Sequence, residues 1–139
     1  MHINVEALAQ ILKFASSKRF TNDGCSIVAM SSSASLCGDK GLSVYSASKA
    51  AVNILVKSAA IELTCRNIRV NAIAPAMVRT EMYYRTIEEI PSMEYVVKAN
   101  QPFGVIEPEY IAHLADFLTS EKSKYITGET IVVGAGHVF

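Results

Sequence analysis

The residues with the clearest chemical potential are Tyr45 and Lys49, which stand four apart in the run Tyr-Ser-Ala-Ser-Lys. On a helix, residues at this spacing share a face, so the phenol and the ammonium group would lie side by side. A nearby cation favours the ionised form of a phenol, whose ordinary pKa is about 10, and moves it toward acid–base chemistry. An isolated pair of this kind is also typical of a surface helix with a half-buried tyrosine. Whether this pair forms a functional site therefore depends on the strands and helices that the surrounding sequence predicts.

Length and composition predict a single globular domain over residues 1–139. Half of the 139 residues are hydrophobic and 19% are charged, which is typical of a chain that forms a packed core. The formal net charge is zero and the basic residues are scattered, which disfavours binding to nucleic acid or to an anionic membrane surface. No apolar run reaches the roughly 18 residues that a membrane-spanning helix needs.

The cysteines and histidines predict neither a disulfide framework nor a metal site. Cys25, Cys37 and Cys65 lack the spacing of either, and the three histidines lie far apart along the chain. Free cysteines in apolar surroundings are most often core residues. We therefore expect a reducing compartment, the cytoplasm.

The hydrophobic pattern predicts strands that alternate with helices. The predicted order is a helix over 3–18, a strand over 25–30, a helix over 44–65, a strand over 68–74, a mobile flap over 79–101, a helix from Pro108, and a strand over 130–133. This alternation implies right-handed crossovers and a parallel sheet covered by helices on both faces.

Three polar segments are expected to meet at one edge of that sheet. Ligands bind beyond the carboxyl ends of the strands in such folds. The run Ser31-Ser32-Ser33 follows the first strand, Pro75-Ala76-Met77 follows the second, and Tyr45 opens the helix between them. This convergence turns the Tyr–Lys pair into a candidate site.

These motifs, taken in order, resemble the short-chain dehydrogenase/reductase family of the classical type, and most closely its beta-ketoacyl-acyl-carrier-protein reductases. The resemblance covers essentially the whole chain. It implies the C-terminal half of a Rossmann-like doubly wound parallel sheet, with about three parallel strands and flanking helices. The matching positions are Asn4 in Ile-Asn-Val, Ser32 in Met-Ser-Ser-Ser-Ala, Tyr45 and Lys49, the run from Arg69 to Pro75, and the run from Tyr125 to Val133.

The resemblance implies an NAD(P)-dependent oxidoreductase that reduces a carbonyl or oxidises a secondary alcohol, such as a 3-oxoacyl thioester. Tyr45 would exchange a proton with the substrate, and Lys49 would lower the pKa of Tyr45 and bind the nicotinamide ribose. Ser32 would hold the substrate oxygen, while Asn4 would kink its helix and keep a water on a proton path to Lys49. The residues implied to contact NADP or NAD are Tyr45, Lys49, Pro75, Ala76, Met77, Val78 and Thr80.

Several of these assignments have alternatives. Ser31 or Ser33 could take the place of Ser32, and Asn4 could be an ordinary polar residue of a helix. Thr80 could simply cap the next helix, because threonine favours that position. Ala76 stands where the family usually has glycine, which is tolerable only if the position needs no positive φ.

The chain contains no glycine-rich phosphate-binding turn between a strand and a helix. The family's glycine-rich half, with the residue that selects NAD or NADP, would lie upstream of Met1. We therefore expect a C-terminal fragment or a mis-started gene product whose first strand has an open apolar edge. The alternative function is a catalytically inactive self-association module, since family members commonly form homodimers or homotetramers. A third possibility is a split enzyme that a separate N-terminal chain completes.

Overall fold

Three strands form one parallel sheet in the computed structural model, which describes residues 2–38 and 40–138. The strands are β1 (Ser26–Met30), β2 (Arg69–Pro75) and β3 (Thr130–Val133), in that spatial order. Met30 pairs with Ile73 and Pro75 pairs with Val133, so all three carboxyl ends reach one edge. The predicted parallel sheet is confirmed, with β1 and β2 each starting one residue later than expected.

Helices connect and flank the strands of this sheet. A π-helical turn (His2–Glu6) leads into α1, and single 3₁₀ turns span Ser33–Ser35, Thr64–Arg66 and Glu121–Ser123. No helix among the described residues is long and apolar enough to cross a membrane. The α-helices are α1 (Ala7–Ala15), α2 (Ser43–Leu63), α3 (Glu81–Glu89), α4 (Ser92–Asn100) and α5 (Pro108–Thr119).

The segment over 79–101, which the sequence pattern indicates as a mixed flap, folds into the two helices α3 and α4. Each of them buries only one side chain, Tyr83 in α3 and Val97 in α4. The sequence pattern assigned no secondary structure to this flap, so the two helices are a finding of the structure, and the mobility of the segment stays a prediction.

The centre of the fold is β2, whose residues Val70 to Ala74 are all buried. Successive side chains of a strand point to opposite faces of the sheet. Val70 and Ala72 accordingly join the core formed with α1 and α2. Asn71, which is also fully buried, uses its amide to donate to the Ile126 carbonyl and to accept from the Glu129 N–H. A polar group in the central strand is thereby satisfied.

The outer edge of β1 is open among the described residues, since β1 pairs only with β2. A groove with a volume of about 330 Å³ runs along this edge, between β1, α2 and the first turns of the chain. Its lining is mostly apolar, with Ile3, Ile11, Ile27 and Met30, and it also reaches Lys49. An edge of this kind is a template for pairing with another strand.

Gly128 leads the chain toward β3 with a φ of +78°, and its N–H donates to the Val70 carbonyl over 2.7 Å. Gly128→Ala is expected to lower the free energy of unfolding by about 1–2 kcal/mol, because an L-residue pays a steric penalty in left-handed backbone. The added Cβ would be in ordinary contact with Ala60 Cβ at 3.4 Å, so the backbone dominates the effect. Urea unfolding measures the difference.

The matched control for this change is Gly38→Ala. Gly38 has no positive φ and its added Cβ would meet nothing within 4 Å. Equal effects of the two substitutions would contradict the backbone argument. Ala76 also lacks a positive φ: among the described non-glycine residues only Asn67 and Ala135 have one. The alanine at position 76 is therefore free of this strain.

Candidate active site

The first turns of α2 present Tyr45 and Lys49 on one face. Lys49 Nζ lies 5.9 Å from the centroid of the Tyr45 ring, which is the side-by-side arrangement that the four-residue spacing predicts. Tyr45 is 38% exposed, so its phenol is open to a bound molecule. The pair thus combines a potential proton donor with a nearby cation.

Lys49 is anchored at the carboxyl end of β1. Its ammonium group donates to the Met30 carbonyl over 2.9 Å, which leaves two of its three N–H donors for a ligand. Partial burial lowers the pKa of Lys49 from its ordinary value of 10.5, because desolvation disfavours the charged form. The strand end therefore holds the ammonium in place, while partial burial favours release of its proton.

Asn4 reaches the same helix through Ser48. Asn4 lies in the π-helical turn His2–Glu6, and its Nδ2 donates to Ser48 Oγ over 3.0 Å. Ser48 Oγ in turn donates to the Tyr45 carbonyl over 2.7 Å. Ser48 is almost fully buried, so it links the entry of the chain to the first turn of α2. Asn4 also lines the groove that reaches Lys49.

The serines after β1 differ in what their hydroxyl groups do. Ser31 is 5% exposed and donates to the Lys49 carbonyl over 3.2 Å. Ser32 caps the 3₁₀ turn Ser33–Ser35 by accepting from the Ala34 N–H, and its hydroxyl hydrogen makes no hydrogen bond to any described residue. Ser32 can therefore donate to a bound molecule, whereas the Ser31 hydroxyl is engaged inside the protein.

The segment after β2 runs beside residue 106. Ile106 donates its N–H to the Met77 carbonyl over 3.1 Å, and the Arg79 N–H donates to the Ile106 carbonyl over 2.8 Å. These bonds flank Val78, so the N–H of Val78 points to the opposite side. It makes no hydrogen bond to any described residue. A backbone donor is thus available at the sheet edge.

Thr80 occupies the N-cap position of α3 in an extended conformation, yet its side chain makes no capping bond. Its hydroxyl donates to the Val78 carbonyl over 3.3 Å instead. The alternative reading of Thr80 as a helix cap therefore holds for its position but not for its side chain.

The structure joins Tyr45, Lys49 and Asn4 by direct contacts or through Ser48. Ser32 follows β1 and Pro75 ends the neighbouring β2, so the parallel register brings both to the same edge. Within residues 2–38 and 40–138, no group of three or more His, Cys, Asp or Glu side chains could hold a metal ion. The arrangement suits proton transfer at a polar ligand.

Sequence reasoning missed three contributors to this site. Ser48 and the Met30 carbonyl orient Tyr45 and Lys49, and Gln101 holds the segment after β2 through hydrogen bonds to Met77. The position of Ser48 three residues after Tyr45 is a signal that could have indicated its role. The other two depend on contacts between distant parts of the chain.

The amino-acid sequence of this chain is similar to those of known proteins. A family model described as Enoyl-(Acyl carrier protein) reductase matches residues 1–137. "Dehydrogenase/reductase SDR family member 4" from Homo sapiens is 40% identical over 139 residues, covering 98% of this chain and 49% of the relative. Its counterpart from Bos taurus is 38% identical over 137 residues, with the same coverage. The chain spans about half the length of the curated relatives it matches.

Solved structures share the fold. A short-chain type dehydrogenase/reductase from Mycobacterium ulcerans has a TM-score of 0.84 and 32% identity, covering 96% of this chain and 48% of that one. The 3-oxoacyl-[acyl-carrier protein] reductase from Brucella melitensis ATCC 23457 has a TM-score of 0.79 and 27% identity, with the same coverage. "ElxO with NADP Bound" has a TM-score of 0.72 and 28% identity, covering 94% of this chain and 50% of that one.

Proposed function

The chain belongs to the short-chain dehydrogenase/reductase family, and on this premise we propose that it acts as an NAD(P)-dependent oxidoreductase that reduces a carbonyl group or oxidises a secondary alcohol. The observation that carries the proposal is the Tyr45–Lys49 pair, with the ammonium held 5.9 Å from the phenol ring. A 3-oxoacyl thioester or a similar substrate is supported by likeness to the Brucella melitensis reductase.

The residues present fit a nicotinamide dinucleotide. NAD(P)H would supply the hydride, which the side chains of this chain cannot. The two remaining N–H donors of Lys49 suit ribose hydroxyls, and the N–H of Val78 suits a carboxamide oxygen. The exposed Thr80 hydroxyl would suit a phosphate oxygen once its hydrogen turns away from the Val78 carbonyl, to which it donates over a long 3.3 Å. Pro75 to Met77 lead the backbone from β2 to these donors. NADP in the similar ElxO structure supports this assignment.

Tyr45 is proposed to donate the proton that completes carbonyl reduction. The Lys49 ammonium, which lies 5.9 Å from the centroid of the Tyr45 ring, would stabilise the negative charge that remains on the Tyr45 oxygen. The free hydroxyl hydrogen of Ser32 donates to the same substrate oxygen and stabilises the charge that develops there. In the proposed proton path, Asn4 keeps a water near Lys49 in the groove that both residues line.

A fluorescence titration of the 139-residue chain with NADPH and, separately, with NADH tests the proposal. Saturable binding is expected for the wild type, and Lys49→Met is expected to weaken it about tenfold or more. The reason is that hydrogen bonds to charged groups contribute about 1.5–3 kcal/mol each, and 1.4 kcal/mol corresponds to a factor of ten. Binding measured beside a circular dichroism spectrum separates loss of affinity from loss of fold.

The matched control is Lys57→Met, two turns further along α2 at an exposed position. It should bind both nucleotides as the wild type does. A folded wild-type chain that binds neither nucleotide would contradict the proposed function. Equal weakening by Lys49→Met and Lys57→Met would remove Lys49 from the site.

The exposed apolar side chains on α1 and α2 favour a second candidate function, self-association. We propose that the chain assembles as a homodimer or homotetramer through these two helices, because contact with a second copy would remove these apolar side chains from water. Sedimentation velocity measures the assembly, and a folded oligomer without nucleotide binding would favour a catalytically inactive interaction module. The side chains concerned, each more than half exposed, are Ile11, Phe14, Val44, Ile54 and Ile61.

A further inference from the structure

Gln101 is a buried polar residue whose side chain bonds to backbone groups beyond its own helix. It follows α4 at the C-cap position and is 4% exposed. Its Oε1 accepts from the Met77 N–H over 2.8 Å. Its Nε2 donates to the carbonyls of Met77 and Gly104, both over 3.2 Å. Every hydrogen-bonding atom of the amide is thus engaged with main chain.

This set of bonds requires a primary amide. A glutamine side chain offers one acceptor and two donors, whereas an ionised glutamate only accepts and a methionine does neither to a useful degree. Buried backbone N–H and C=O groups need partners. Met77 N–H has its partner in Gln101, and Met77 C=O shares its acceptor capacity between Gln101 and the Ile106 N–H.

The hydrogen bonds of Gln101 join the two points at which the chain leaves the sheet edge and returns to it. After Val78 the chain departs into α3 and α4, and it returns at Gln101. The bonds of Gln101 to Met77 and Gly104, together with the parallel bridge between Val78 and Ile106, close this excursion at its base. We call these contacts the clasp. The clasp supports the segment from the side opposite the free N–H of Val78.

We propose that Gln101 is a positioning residue that holds the segment from Pro75 to Val78 in its cofactor-binding geometry and couples α3 and α4 to that segment. The inference rests on the proposed function for the identity of the ligand. The clasp does not depend on that ligand, because hydrogen bonds within the protein define it. Gln101 touches neither a nicotinamide nor a reacting atom in this scheme, and it acts through the backbone of Met77.

Hydrogen exchange tests the clasp independently of any activity. In Gln101→Met, the amides of Met77 and Arg79 are expected to exchange at least about tenfold faster, because the first loses its acceptor and the second depends on the bridge that the clasp supports. The Ala72 amide, which donates to the Glu129 carbonyl inside the sheet, should keep its rate. Gln10→Met, the same substitution at an exposed position of α1, is the matched control.

The effect on the ligand separates positioning from general stability. Gln101→Met is expected to raise the dissociation constant and the KM for NADPH or NADH by about tenfold, while kcat at saturation changes much less. Gln101→Glu keeps the acceptor for Met77 N–H but places a carboxylate beside two carbonyl oxygens. Its NADPH affinity should therefore recover as the pH falls from 8 toward 6 and the carboxyl group gains a proton, because a protonated carboxyl can donate.

The outcomes are distinct. Unchanged exchange of Met77 and Arg79 in Gln101→Met would overturn the clasp. Faster exchange with unchanged nucleotide affinity and KM, or a Gln101→Glu affinity that follows the wild-type pH profile, would overturn the positioning role. If the folded wild-type chain binds neither nucleotide, the proposed function and the positioning role fall together, and the exchange data still decide whether the clasp exists.

Discussion

Tyr45→Phe is expected to lower the rate of carbonyl reduction by about 10²–10⁴-fold, the range that general acid–base catalysis contributes. The substitution removes only the hydroxyl group that would donate the proton. The ring stays in place beside Lys49, whose ammonium remains bonded to the Met30 carbonyl. Steady-state assays with NADPH or NADH and a 3-oxoacyl thioester measure the change.

Nucleotide affinity should fall far less than the rate, because Lys49, Val78 and Thr80 keep their donors. Tyr125→Phe is the matched control, since Tyr125 is 89% exposed and lies outside the site. It should leave the rate unchanged. Retention of a substantial fraction of the wild-type rate in Tyr45→Phe would assign the proton step to another group.

The second large effect concerns stability. Ile73→Ala is expected to lower the free energy of unfolding by about 2–5 kcal/mol, because it removes three buried carbons and leaves a cavity. Ile73 is fully buried in the central strand and pairs with Met30 on one side and Ile131 on the other. Urea unfolding followed by circular dichroism measures the loss.

Ile90→Ala removes the same atoms from a site that is 47% exposed and follows the end of α3. Its effect should stay within about 0.5 kcal/mol, the usual range for surface substitutions. If Ile73→Ala cost no more than Ile90→Ala, the centre of the sheet would be looser than the packing indicates.

The parallel sheet was predictable from sequence because its strands are short apolar runs separated by helix-length segments. Burial on both faces favours such runs, and β2 shows this burial from Val70 to Ala74. The strands β1 and β3 are mostly half-buried, so the expectation that the first strand is buried on both faces was wrong, because no strand pairs with its outer edge among the described residues. The helices α3 and α4 were not predictable in the same way. They bury only Tyr83 and Val97, respectively, so neither has the broad apolar face of a core helix, and the Met- and Tyr-rich composition of residues 79–101 indicated only a flap.

In the candidate site, contacts between residues close in sequence were predictable, and contacts between distant residues were not. Tyr45 and Lys49 lie on one helix, so their spacing determines their proximity. The partners of Ser48 and Gln101 include Asn4 and Met77, which are 44 and 24 residues away. Local pattern cannot show such contacts. The roles of Asn4, Ser32 and the Pro75–Thr80 residues stay predictions.

By itself the sequence determined the helical pairing of Tyr45 with Lys49, the alternation of strands and helices, and the family to which the chain belongs. These features depend on spacing and local pattern, which a linear chain carries. Only the tertiary structure decided that the Met30 carbonyl anchors Lys49, that the Ser31 hydroxyl is engaged while that of Ser32 is free to donate, and that Gln101 closes the base of α3 and α4. Hydrogen bonds between distant segments exist only after the sheet brings those segments together, because each needs its donor and acceptor within about 3 Å.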